Sequence, residues 1–186
     1  MKRKNIWLAP VLAMSLTLGA CSNDNGNHDK KDEGTTHEGM NHSASGEVPK
    51  DLKKAEEPKY EMGSQAVMNA DHMKGMKGAK AKITGAFDTT AYIVTYTPTT
   101  GGKPVKHHKW VIQEEIQNAG NKTLKKGQKV KLNADHMKGM KGASAVIESS
   151  EKTTVYMVDY TPTTGGKRVK NHKWVTESEL QAEYGK

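Results

Sequence analysis

The sequence has one cysteine, one phenylalanine and, past Leu18, no long apolar run. A lone cysteine rules out an internal disulfide, so a hydrophobic core must hold the folded part together. Aromatic residues make up 5% of the 186 residues, and Leu and Ile are sparse, which keeps any such core small. Without a second run of spanning length, the chain after Leu18 is not expected to cross a membrane as a helix. Dense arginine clusters are missing as well, so no nucleic-acid partner is expected. The chain also has no Ser or Cys nucleophile motif, phosphate loop or HExxH, so it reads as a binding protein rather than an enzyme.

What is present is the stretch NADHMKGMKGA, which occurs unchanged at 69–79 and at 133–143. Each copy holds one imidazole and two thioethers within five residues: His72, Met73 and Met76, then His136, Met137 and Met140. Thioether sulfur is a soft, uncharged donor that selects Cu(I) over cations preferring carboxylate oxygen, and it suits Ag(I) for the same reason. Gly75, Gly78 and the lysines argue against a helix face and for an exposed loop, where methionine gains nothing from burial. The competing reading is that these methionines merely fill a core.

Residues 1–20 read as a signal peptide, with Lys2, Arg3 and Lys4 before an apolar run from Ile6 to Leu18. Leu18-Gly19-Ala20-Cys21 looks like a bacterial lipobox. That pattern implies cleavage before Cys21, lipid on Cys21 and a location on the outer face of the cell membrane. Losing Lys2, Arg3 and Lys4 lowers the formal charge from +8 to +5, a modest excess that suits anionic headgroups or wall polymers. Residues 21–59 are polar, with few aliphatic side chains, and are expected to be a disordered spacer. Within it His37, Met40 and His42 form a secondary candidate for copper.

From residue 69 onward the chain repeats itself at an offset of 64, with 31 identities in 44 positions between 69–112 and 133–176. This gives two modules, 60–122 and 123–186. Val130, Leu132 and Ala134 alternate with polar residues, as do Ala143, Ala145 and Ile147, and the run from Thr153 to Tyr160 is rich in β-branched and aromatic types. Thr161-Pro-Thr-Thr-Gly-Gly166 reads as a turn, and Thr176-Glu-Ser-Glu179 as a capping box that opens one helical turn. The expectation is a mainly β protein of two tandem small SH3-like barrels.

The repeat also sorts its own residues. Met68 is replaced by Leu132, and Ile93 by Met157, so those positions need only apolar volume, whereas the loop methionines are identical in both copies. His107 becomes Asn171, but His108 and His172 match; each of these completes a metal site or simply steadies the strand before Trp110 or Trp174. The two tryptophans are expected core anchors.

The lipobox, the charged spacer and the paired ADHMKGMKGA, YTPTTGG and HKWV segments resemble the YdhK family of Gram-positive lipoproteins, and within it the copper-resistance members. The resemblance implies a surface lipoprotein that binds Cu(I) and limits copper toxicity; a copper-exporting pump is a separate candidate partner, beside simple storage of the metal. In each module two thioethers and one neutral imidazole would form a trigonal Cu(I) site, so affinity should fall below an imidazole pKa of about 6.5. Asp71 and Asp135 are candidates to orient the neighbouring rings. The alternative reading is a module for wall or anionic polymers with no metal role.

Overall fold

The computed structural model describes residues 44–183. Cys21, His37, Met40, His42 and the whole of residues 1–20 lie outside the described residues. The strands are β1 (Lys53–Lys54), β2 (Gln65–Met68), β3 (Lys80–Thr97), β4 (Val105–Ile112), β5 (Lys129–Lys131), β6 (Ser144–Tyr160), β7 (Val169–Thr176) and β8 (Leu180–Ala182). Single 3₁₀ turns, Gln113–Glu115 and Glu177–Glu179, follow β4 and β7. The fold is therefore mainly β with almost no helix. No helix among the described residues is long and apolar enough to cross a membrane.

The expected barrels do not close. One open sheet runs β5-β6-β3-β2-β8, with β1 and β4 joined to β3 and β7 joined to β6. The reason lies in β3 and β6, 18 and 17 residues long, which pair antiparallel from Ala81↔Tyr160 to Thr97↔Ser144. Near the centre Thr89 faces Thr153, its own counterpart in the repeat, so an approximate two-fold axis passes through that pair. Strands this long overshoot a small barrel, and each serves two cores in turn.

Burial along β3 shows the handover. Ala81, Ile83, Phe87 and Ala91 are buried at alternate positions, then the phase changes and Tyr92, Val94 and Tyr96 are buried instead, with a register shift between Ile93 and Val94. One core joins Met68, Met76 and Ile83 of the first repeat to Tyr156, Val158 and Val175 of the second. The other joins Tyr92, Val94 and Val111 of the first repeat to Leu132, Met140 and Ile147 of the second. Each core thus takes the front of one repeat and the back of the other. A third cluster, with Phe87, Trp110, Val155 and Trp174, packs where β3 and β6 cross from one core to the other.

Part of the expected spacer is bound to this body. Lys53 and Lys54 pair with Asp88 and Phe87, Leu52 is buried in the third cluster, and Ala44 donates its N–H to the Lys170 carbonyl at 2.9 Å. Leu52 and Val48 give this stretch just enough apolar surface to dock.

Candidate metal centre

The two HMKGM loops fold on themselves. In the first, Met76 N–H donates to the Met73 carbonyl, Ala79 N–H to Met76 and Gly78 N–H to Met68. Gly75 and Gly78 take φ of +82° and +79°, which only glycine adopts without strain. Residues 133–143 repeat the pattern, with Gly139 and Gly142 at +80° and +77°. This tight winding turns Met76 and Met140 inward to full burial, leaves Met73 and Met137 half-buried, and covers most of the His72 and His136 side chains. The loops are therefore not the exposed segments their lysines suggested. The lysines face water, and every third or fourth side chain does not.

Both loops are clamped by the opposite repeat. Thr163 N–H donates to the Gly75 carbonyl and Thr99 N–H to Gly139, both at 2.9 Å, so each PTTGG turn sits on the other repeat's loop. Asn69 N–H reaches the Glu179 carbonyl at 2.8 Å, and Asn133 N–H reaches Glu115 at 2.7 Å.

The imidazoles have carboxylate partners that the sequence reading missed. His72 Nε2 lies 2.7 Å from Glu179 Oε1, and His136 Nε2 lies 2.7 Å from Glu115 Oε1. The other oxygen of each carboxylate is held in a matching way. Glu179 Oε2 accepts from Trp110 Nε1 at 2.7 Å and from Thr176 N–H at 3.2 Å; Glu115 Oε2 accepts from Trp174 Nε1 at 3.0 Å and from Ile112 N–H at 3.2 Å. Burial opposes the charge on Glu179, but hydrogen bonds from His72, the Trp110 indole and the Thr176 N–H outweigh it and hold the carboxyl at about 2. The anticipated orienting residues, Asp71 and Asp135, are exposed. The capping box at Thr176 does open a 3₁₀ turn, and its glutamate serves the imidazole as well. A signal was available: Glu115 and Glu179 match at the repeat offset of 64.

A carboxylate can only accept, so Nε2 carries the proton and a neutral ring is left with its lone pair on Nδ1. That atom is buried without a hydrogen-bond partner in both His72 and His136. Their side chains are only 5% and 10% exposed.

Around the second loop the structure gathers His108, whose ring centroid lies 6.2 Å from that of His136, and Tyr96, edge-on to His108 at 5.6 Å. The Tyr96 hydroxyl donates to Met137 Sδ at 3.9 Å. Around the first loop, Met73 packs on the core that holds Met76 and Tyr160, and Tyr160 stands edge-on to His172 at 5.8 Å. Burial pushes the Tyr160 phenol up to about 12 and the Tyr96 phenol in the same direction, so both stay neutral. His107 is held at the surface on Glu148, at 2.6 Å. Trp110 and Trp174 are buried, as expected of core anchors, and their indole N–H groups also brace the glutamates. Among the described residues no three His, Cys, Asp or Glu side chains come together in a metal-holding group.

Residues 62–113 and 126–177 both match the family model described as a protein of unknown function, DUF1541. The uncharacterized protein YdhK of Bacillus subtilis strain 168 is 60% identical over 176 residues, covering 92% of this chain and 86% of that protein. A crystal structure of the Bacillus subtilis YdhK protein of this family is similar with a TM-score of 0.76 and 66% identity, over 79% of this chain and all of that one. A solution structure of the YdhK C-terminal domain is similar with a TM-score of 0.63 and 69% identity, over 66% of this chain and 93% of that one. With two copies of the family's unit and a relative this similar along nearly its whole length, the chain belongs to the YdhK-like DUF1541 family.

Proposed function

We propose that this protein binds and sequesters Cu(I) at its two HMKGM loops. The observation that carries the reading is the buried, unpartnered Nδ1 of His72 and of His136, each in a loop that also carries two methionines. An uncompensated buried lone pair costs about 1–3 kcal/mol, and a bound metal ion would remove that cost. Imidazole and thioether together make a soft, charge-neutral donor set, which favours a monovalent soft ion over a divalent hard one. Met73 and Met137 offer sulfur at the loop mouth, Met76 and Met140 from within the core, and His172 and His108 stand by as further nitrogen donors.

In the same reading the protein is an extracytoplasmic lipoprotein anchored through Cys21, and within the family it stands with the copper-resistance lipoprotein CopL. It holds copper outside the cell and passes it to no active site of its own; a copper-exporting pump is the natural source of its load. His37, Met40 and His42 would offer a looser first capture.

The test is an anaerobic Cu(I) titration of the full-length chain in detergent against a coloured Cu(I) chelator. Beside it goes the variant M73L/M76L/M137L/M140L, which removes the sulfur and keeps the volume. Two tight equivalents, lost in the variant while its β-sheet circular dichroism is unchanged, are expected. Undiminished affinity in the variant would sink the assignment. A native chain unable to compete for Cu(I), yet retained on wall polymer until salt is added, would leave the polymer-binding reading in its place.

A further inference from the structure

We propose that Glu179 and Glu115 are positioning residues for the metal-binding imidazoles, each acting on the loop carried by the other repeat. This rests on the copper reading for the identity of the ligand, and on hydrogen-bond geometry for everything else.

Both carboxylates have one oxygen on an imidazole and the other on a tryptophan indole and a backbone N–H. A glutamate that only capped its 3₁₀ turn would need the backbone contact alone. Here the indole and the backbone N–H fix the plane of the carboxylate, so the oxygen that remains is aimed at His72 or His136 rather than left to rotate. Donating Nε2–H to that oxygen sets the tilt of the ring and leaves Nδ1 as the only nitrogen able to bind a metal. A carboxylate in this place also raises the basicity of the ligating nitrogen, and losing such a partner typically costs a metal site 10–100-fold in affinity.

The connectivity makes the proposal sharp. Glu179 belongs to the second repeat, but the ring it holds is His72 of the first; Glu115 belongs to the first repeat, but holds His136 of the second. Trp110 and Trp174 do not cross: each braces the glutamate that holds the imidazole of its own repeat's loop. Within a self-contained repeat, Glu179 would serve the loop of its own repeat at 133–143. The observed contacts say that it serves the loop at 69–79.

The experiment uses the full-length chain in detergent, titrated with Cu(I) against a chelator. E179A is expected to weaken one of two equivalents by roughly 10–100-fold, and E179Q, which keeps an oxygen for the Nε2 proton, to lose less. E177Q, on the same 3₁₀ turn, is expected to bind as the native chain does. Combined with H72A, the E179A change adds nothing further, because both act on one site; combined with H136A it leaves no tight site. The proposal is overturned if E179A weakens the equivalent that H136A removes, if E179Q falls as far as E179A, or if E177Q falls equally. A second readout needs no metal: the His72 Nε2–H should give a solvent-protected ¹H–¹⁵N resonance in the native chain, and lose it in E179A. Its absence from the native chain overturns the positioning role. Failure of the native chain to bind Cu(I), with that resonance present and lost in E179A, overturns the copper reading and upholds the positioning of the ring.

Discussion

Methionine here has two kinds of work that residue type alone does not separate. Met76 and Met140 are fully buried in the two cores, whereas Met73 and Met137, next to the histidines in sequence, are half-buried. M76A opens a cavity in a packed interior and is expected to destabilise the fold by about 2–5 kcal/mol; M76L keeps most of the volume and should cost less than about 1.5 kcal/mol. M73A should cost less stability than M76A and yet weaken Cu(I) binding. Urea unfolding of the three variants, read beside their chelator titrations, checks this, and an M76A as stable as M76L would contradict the buried placement. The loop itself was legible because it is copied whole, whereas the full burial of Met76 and Met140 was not. Glu115 and Glu179 were harder to see. They lie 21 residues before His136 and 107 residues after His72, and no local pattern connects residues so far apart.

At the scale of elements, alternation and turn chemistry announced the strands, the PTTGG turns and the capped 3₁₀ turn, because each of these is decided by neighbours in sequence. What alternation cannot announce is a partner. The turn at 162–166 is ordinary as a turn, but its use is to close over the loop of the other repeat, where a methyl group at Gly75 would lie 2.7 Å from Thr164 Oγ1 and 2.8 Å from Pro162 Cβ. Gly75 therefore faces two demands, the contact and a φ of +82°. Gly101 has the same φ with nothing within 4 Å of an added methyl. G101A should thus show only the backbone cost, about 1–2 kcal/mol, and G75A clearly more. Paired denaturant midpoints at equal slope decide it: equal losses would mean that the turn does not press on the loop.

The described residues form one open sheet shared by two repeats, and this explains why the barrels do not close. Each repeat has the composition of a small half-buried sheet, and short strands would have closed on themselves; β3 and β6 instead continue past the first core into the second. A repeat in isolation would then expose the faces that the other one covers, with Met76 and Ile83 losing Tyr156 and Val158, and Tyr92 and Val94 losing Leu132 and Ile147. Because the two repeats are alike at 31 of 44 positions and Thr89 already pairs with its counterpart, a second copy of the same repeat can take the missing place. The fragment 60–122 is accordingly expected to fold only as a symmetric dimer, with a melting temperature that rises with concentration. Sedimentation equilibrium and circular dichroism melts across a hundredfold concentration range measure this directly. A folded monomer whose melting is independent of concentration would show that each repeat holds a sufficient core of its own, and the crossing of strands would then be an embellishment of the fold. If the dimer is found, the same crossing that builds both cores also forces each HMKGM loop to be finished by residues from the opposite repeat, and duplication of the unit becomes a condition of completing either loop.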